Sequence, residues 1–125
     1  MTFRRQRLIA ILIGAVLWLA AARVVHYFPF LFDGGEMSAI AFAAIIVTSW
    51  FTVDILRLAT RCSPGRLAPL MAWGTLTALM LDGLVISFAP SFYASVSSAT
   101  QFGAAAIMWG AGLGLLFALI RDSAK

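Results

Sequence analysis

Four long apolar stretches, separated by short polar connections, most limit how this chain can fold. They cover about residues 8–28, 37–59, 67–88 and 99–120. Each has about 20 residues, the length that an α-helix needs to cross a hydrocarbon core ~30 Å thick. Because backbone polar groups in hydrocarbon must bond internally, stretches of this length predict helices. The chain is therefore predicted to be all-α, an integral membrane four-helix bundle that forms one domain over residues 1–125.

Composition favours the membrane over water for this bundle. Of the 125 residues, 62% are hydrophobic and 11% are charged, and the mean hydropathy is +0.98. A soluble domain carries about 25% charged residues, so this chain has too little polar surface to cover itself in water.

The basic residues predict the orientation of the helices. They precede the first stretch, lie in the second connection and follow the fourth stretch: Arg4, Arg5, Arg7, Arg61, Arg66, Arg121 and Lys125. The first and third connections contain no Lys or Arg, and the first carries Asp33 and Glu36. By the positive-inside rule, both termini are predicted to be cytoplasmic. These charges are expected to meet anionic lipid headgroups, and since topology explains them, nucleic-acid binding is not expected.

The first 22 residues also admit another interpretation, a cleaved signal peptide. A basic start precedes an apolar core that ends in three alanines, residues 20–22. Hydrophobicity resumes after Arg23 with Val24 and Val25, which favours a full-length span instead.

Two ionisable residues interrupt the apolar stretches at similar predicted depths. Arg23 lies fifteen residues after Leu8, and Asp82 lies fifteen residues after Leu67. At ~1.5 Å per helical residue, both lie roughly 22 Å from the cytoplasmic edge. An unpaired charge at the membrane centre costs about 2.5–3.5 kcal/mol on insertion scales. We therefore predict a structural ion pair between the first and third helices. The alternatives are an ion, proton or substrate site near the outer face, and extension of both side chains to the outer interface without pairing.

Two further polar positions carry weaker hypotheses. His26 follows Arg23 by about one helical turn, which admits a pH-switching role beside Asp82, although packing at the interface is the commoner role for a lone histidine. Asp54 precedes Arg57 by three residues, a spacing that predicts a local ion pair on the second helix, and the alternative is a proton-relay role for Asp54.

Small residues recur every fourth position in the third and fourth stretches. The positions are Gly74 and Ala78, followed by Asp82, and then Ala106, Gly110, Gly114 and Ala118. Such a stripe lets helix backbones approach closely, where packing replaces the hydrophobic drive that is missing in lipid. The stripe on the fourth helix predicts contact inside the monomer, and the alternative is a homodimer seam through the same face.

Residues 79–116, together with residues 14–32, resemble a family of small uncharacterised bacterial membrane proteins, a domain of unknown function. The recurring pieces are the Asp of MLDGL (Asp82), the Pro and aromatics after the third helix (Pro90, Phe92 and Tyr93), and Trp109 with Gly110 or Ala111. The resemblance covers most of the chain. It implies four helices in the bacterial inner membrane and brings no activity.

No catalytic, metal or cofactor motif accompanies this architecture. His26 and Cys62 are each the only residue of their type, and no glycine-rich loop leads a strand into a helix for phosphate. We therefore predict a structural or accessory membrane protein with no enzymatic activity and no cofactor. The alternative is a small dimeric transporter or channel that uses Asp82 and Arg23. A water-lined cavity reaching Asp82 favours transport, whereas dry packing favours the structural role.

Overall fold

The computed structural model describes residues 1–94 and 97–123, and its long elements are four helices. They are α1 (Phe3–Tyr27), α2 (Glu36–Thr60), α3 (Leu67–Phe88) and α4 (Ser97–Ser123). Two short 3₁₀ turns follow α1 and α3, at Pro29–Phe32 and Pro90–Phe92. All four helices are long and apolar enough to cross a membrane. The predicted all-α, four-helix class is confirmed.

Three of the helices, α1, α2 and α4, extend beyond their apolar stretches at one or both ends. α1 begins at Phe3 because the Thr2 hydroxyl caps it, accepting a hydrogen bond from the Arg5 amide at 3.3 Å. α2 ends where Arg61 adopts a left-handed conformation with φ of 46°. Capping and chain reversal set these limits, whereas α3 begins and ends where its apolar stretch does, at Leu67 and Phe88.

The helices are packed in the order α1, α3, α4, α2 around the bundle. α1 contacts chiefly α3, α3 contacts α4, and α4 contacts α2, whereas α1 and α2 touch one another much less. The bundle is therefore least tightly closed between α1 and α2.

Glycine allows the close approach of α1 and α3. A Cβ atom built on Gly14 would overlap the carbonyl oxygen of Gly74, and one on Gly74 would lie 3.2 Å from the Ala10 carbonyl oxygen. Gly74 was predicted to pack closely, and its partner is Gly14. Since the two helices run in the same direction, this register places Asp82 level with Ala22, one residue from Arg23.

The small residues of α4 lie inside the bundle. Ala106 and Ala118 are buried. The Ser49 hydroxyl of α2 donates to the Gly110 carbonyl at 3.2 Å, and Gly114 lies against the Met71 side chain of α3. These contacts are within one chain, so this stripe does not offer the free face that a homodimer seam would need.

The end of the bundle that holds the two termini and the α2–α3 connection is called here the basic end. There the Gln6 side-chain amide donates to the Thr60 carbonyl at 3.0 Å. The Asp122 carboxylate accepts from the Ala68 amide at 2.7 Å and so satisfies a free N–H group in the first turn of α3. These bonds join α1 to α2 and α3 to α4, and an ion pair between Asp54 of α2 and Arg121 of α4 joins the two pairs of helices.

That ion pair differs from the predicted one. Asp54 pairs with Arg121 of α4 at 2.6 Å, rather than with Arg57 on its own helix. The Arg121 guanidinium also lies 3.8 Å from the centre of the Trp50 ring. Arg121 is only 14% exposed, so the pair and the cation–π contact are both partly shielded from solvent. The spacing of Asp54 and Arg57 could not reveal a partner on another helix.

Candidate functional site

Asp82 lies in a hydrogen-bonded cluster at the opposite end of the bundle, called here the aromatic end. The residue is buried, with 4% of its surface exposed. Its Oδ1 atom accepts from the indole N–H of Trp18 at 2.8 Å and from the hydroxyl of Tyr93. The Trp18 N–H is also 3.0 Å from the Tyr93 oxygen. Trp18, Asp82 and Tyr93, the Asp82 cluster, thus join α1, α3 and the segment after α3.

The turn after α3 brings Tyr93 back onto the bundle. Pro90 begins a short 3₁₀ turn in which the Tyr93 amide donates to the Pro90 carbonyl at 3.1 Å. Tyr93 is fully buried. Burial, and then the hydrogen bond to Asp82, raise the pKa of its phenol. The phenol therefore stays protonated at neutral pH and donates to Asp82.

Arg23 belongs to a second set of contacts beside this cluster. Its Nη2 atom donates to the Phe92 carbonyl at 2.8 Å, and its guanidinium carbon lies 4.0 Å from the centre of the Phe92 ring. The same ring stacks on Trp18 with 5.7 Å between centroids and 4° between planes. Phe92 thus contacts both the cation and the indole that holds Asp82.

The predicted ion pair between Arg23 and Asp82 is not formed within the described residues. Each has other partners, and the Nε atom of Arg23 and the Oδ2 atom of Asp82 are buried with no hydrogen-bond partner there. The two residues have nearly matching depths, but successive residues are about 100° apart around a helix. Ala22 is buried, and Arg23 leaves α1 in a different direction, toward Phe92. The link from α1 to Asp82 comes from Trp18 instead.

His26 lies outside the Asp82 cluster. It is exposed, and its ring meets Tyr27 edge-on with 5.1 Å between centroids. A switching role beside Asp82 thus has no contact to act through in the described part of the chain. The same residues contain no group of three or more His, Cys, Asp or Glu that could hold a metal ion.

A cavity of about 450 Å³ lies in the middle of the bundle, with walls from all four helices. Its lining is mainly aliphatic, and Trp18 is the member of the Asp82 cluster that reaches it. Neither Asp82 nor Arg23 forms part of its wall. The cavity therefore does not provide a polar path to the buried carboxyl group.

Sequence reasoning missed the role of Trp18. Tyr93 stood out as an aromatic residue after the third helix, but a tryptophan within an apolar stretch resembles ordinary packing. The available signal was its position, four residues after Gly14 and four before Ala22, on the face of α1 that is buried. An indole N–H on such a face needs an acceptor, and Asp82 is a carboxyl group at a similar depth.

Comparison with protein-family models, with curated proteins and with solved structures finds no match to this chain. The function must therefore be inferred from the geometry of the cluster and the cavity.

The Asp82 cluster predicts energetic coupling between Asp82 and Tyr93. Asp82→Ala and Tyr93→Phe should each lower the free energy of unfolding in detergent by about 1–3 kcal/mol, because buried polar groups lose partners. The free energy of unfolding of the double variant should fall by about 0.5–3 kcal/mol less than the sum of the two single losses, since both changes remove the same bond. The measurement is a double-mutant cycle by denaturant unfolding.

Tyr27 supplies the matched control for this cycle, because it is an exposed tyrosine near the end of α1. The losses in free energy of unfolding caused by Tyr27→Phe and by Asp82→Ala should add in the double variant. Arg23→Gln should show weaker coupling to Asp82→Ala than Tyr93→Phe does. Additive effects of Asp82→Ala and Tyr93→Phe would contradict the cluster.

Proposed function

We propose that this chain is a multi-pass protein of the bacterial inner membrane that acts as a structural or accessory component, without enzymatic activity. Four helices of sufficient length and apolar character support the membrane placement. The bacterial source rests on the sequence resemblance.

The contrast between the two ends supports an orientation with both termini in the cytoplasm. The basic end carries the arginines that flank α1, α2, α3 and α4. The aromatic end exposes large rings, as expected for a belt at the opposite membrane surface: Tyr27 (68%), Phe28 (48%), Phe30 (54%) and Phe88 (83%). Each exposed arginine near anionic headgroups contributes about 1 kcal/mol to attraction for that surface.

The burial of Asp82 is the observation that carries the structural role. A transport or channel site needs polar groups that water or a solute can reach. Here Asp82 is 4% exposed, its carboxyl group is held by donors on two other segments, and the neighbouring cavity is mainly aliphatic. This arrangement suits a group that fixes helix positions, which favours the structural role over the transporter.

Labelling of cysteine tests the orientation. Cys62, in the α2–α3 connection, should react with a membrane-impermeant maleimide only when the cytoplasmic side is accessible, as in inverted vesicles. Ser91, exposed in the turn after α3, is the matched position at the other end. Ser91→Cys in a Cys62→Ser background should be labelled in intact spheroplasts. The reverse pattern would place the termini outside.

Flux measurements test the structural role against the transporter. Purified protein in liposomes with an imposed proton or ion gradient should give the same leak as protein-free liposomes. Asp82→Asn should leave this rate unchanged, because the carboxyl group does not lie on a solute path. Flux above the protein-free rate that falls in the Asp82→Asn variant would overturn the structural role and favour transport.

A further inference from the structure

Two arginines at the basic end hold their guanidinium groups against aromatic rings of the neighbouring helix. Arg7 of α1 places its guanidinium carbon 5.0 Å from the centre of the Trp73 ring of α3. Arg66, directly before α3, places its own 5.6 Å from the centre of the Phe3 ring of α1, and its Nη1 atom lies 3.5 Å from the Gln6 side-chain oxygen. Because these contacts cross between the helices, both guanidinium groups lie at the boundary of α1 and α3.

The two contacts lie along one edge of that boundary. Arg7 follows Phe3 by one helical turn, about 6 Å along the axis of α1, so the two residues share a face. Trp73 follows Arg66 by seven residues, or about two turns, and so lies on nearly the same face of α3. None of the four lines the central cavity. This side of the boundary, called here the α1–α3 edge, therefore faces away from the cavity.

Both guanidinium groups keep N–H donors that a ligand can reach. Neither pairs with a carboxylate of the described residues, whereas Arg121 at the same end pairs with Asp54. The Arg7 guanidinium makes no hydrogen bond to those residues, and its nitrogen atoms are not closed off from the surface. Arg66 is an exposed residue. Stacking on a ring occupies the face of a guanidinium, so the N–H groups at its rim remain available.

The edge suits a ligand that has an anionic head and a hydrocarbon tail. The guanidinium donors match two oxygens of one phosphate group, and the rings already restrict the side chains, so binding costs less ordering. Further along the edge the side chains are apolar. Ile11, one turn after Arg7, is half-buried, and Met80, two turns after Trp73, is exposed. Charge and apolar surface thus follow one another along the same edge.

We propose that the α1–α3 edge binds one anionic phospholipid, whose phosphate oxygens accept hydrogen bonds from Arg7 and Arg66 and whose acyl chains lie along the apolar part. A zwitterionic lipid would bring its own cation to this basic end, so the anionic class is preferred. The inference rests on the membrane placement proposed above and deepens it. General attraction depends on the total charge of the basic end, whereas a site depends on which arginine is present.

Native mass spectrometry of the full-length protein, delipidated in micelles, measures this binding. With added phosphatidylglycerol, the chain should retain one lipid, and retention should saturate as the lipid concentration rises. Phosphatidylcholine with the same acyl chains should bind at least about 10-fold more weakly. Inorganic phosphate in large excess should not displace the lipid, because it lacks the acyl chains. Equal retention of the two lipids, or displacement by phosphate alone, would overturn the proposal.

Variants that each remove one positive charge separate a site from general attraction. Arg7→Gln and Arg66→Gln should each weaken phosphatidylglycerol binding about 5- to 20-fold, the effect of losing partly exposed hydrogen bonds to a charged group. Arg5→Gln is the matched control. Arg5 is exposed on the same helix, but it precedes Arg7 by two residues and so points about 200° away around α1. Its loss should change binding less than about 2-fold. Equal weakening in all three variants would show general attraction and overturn the site.

A second pair of variants keeps every charge. Trp73→Leu removes the ring that holds Arg7 and should weaken phosphatidylglycerol binding about 3-fold. Trp109→Leu is the control, because Trp109 lies on α4 and bonds the Phe42 carbonyl of α2, away from the α1–α3 edge. It should leave binding unchanged. Equal binding in the two tryptophan variants would contradict the site. Micelles have no inner or outer side, so a failure of lipid binding and a reversed pattern of cysteine labelling are separate results.

Discussion

The hydrogen bonds that Asp82 accepts are the interaction on which the aromatic end depends. In the membrane placement proposed above, helices gain little from burying apolar surface, so close packing and polar contacts decide how they associate. α1 and α3 use both. Gly14 and Gly74 bring the two backbones together near their middle, and Trp18 reaches Asp82 further along. Tyr93 then fixes the chain after α3 to the same carboxyl group.

The two ends of the bundle are held by different kinds of contact. At the basic end, the bonds come from the polar termini of the helices, and the Arg121–Asp54 pair and the Asp122 carboxylate are the main examples. At the aromatic end, a buried carboxyl group, two aromatic donors and a stacked Phe92 form the junction. Most of these contacts connect α3 and α4 to their neighbours. The middle of the α1–α2 boundary has few, and the cavity opens there.

The sequence predicted the four helices because an apolar segment of this length can satisfy its backbone hydrogen bonds in hydrocarbon only as a helix. It also predicted that Asp82 shares a helix face with Gly74 and Ala78. It did not predict the partner of Asp82. The depth of a residue along its helix follows from counting residues in the apolar stretch. The direction of its side chain depends on how the helix is rotated in the bundle, which counting does not give. Arg23 matched in depth and pointed to Phe92. The cavity could not be predicted either. Its volume depends on the distances between the helices, and no single apolar stretch determines those distances.

Hydrogen exchange at the tryptophan indoles tests the central claim most directly. In the protein in micelles, the Trp18 indole proton should exchange slowly with water, because it is buried against Asp82 and Tyr93. Trp109, whose indole donates to the Phe42 carbonyl at 3.1 Å, is the internal control. In a variant carrying both Asp82→Ala and Tyr93→Phe, the Trp18 proton should lose this protection while Trp109 is unchanged. Equal exchange of Trp18 in the two proteins would show that Asp82 and Tyr93 do not hold the indole, and would contradict the account.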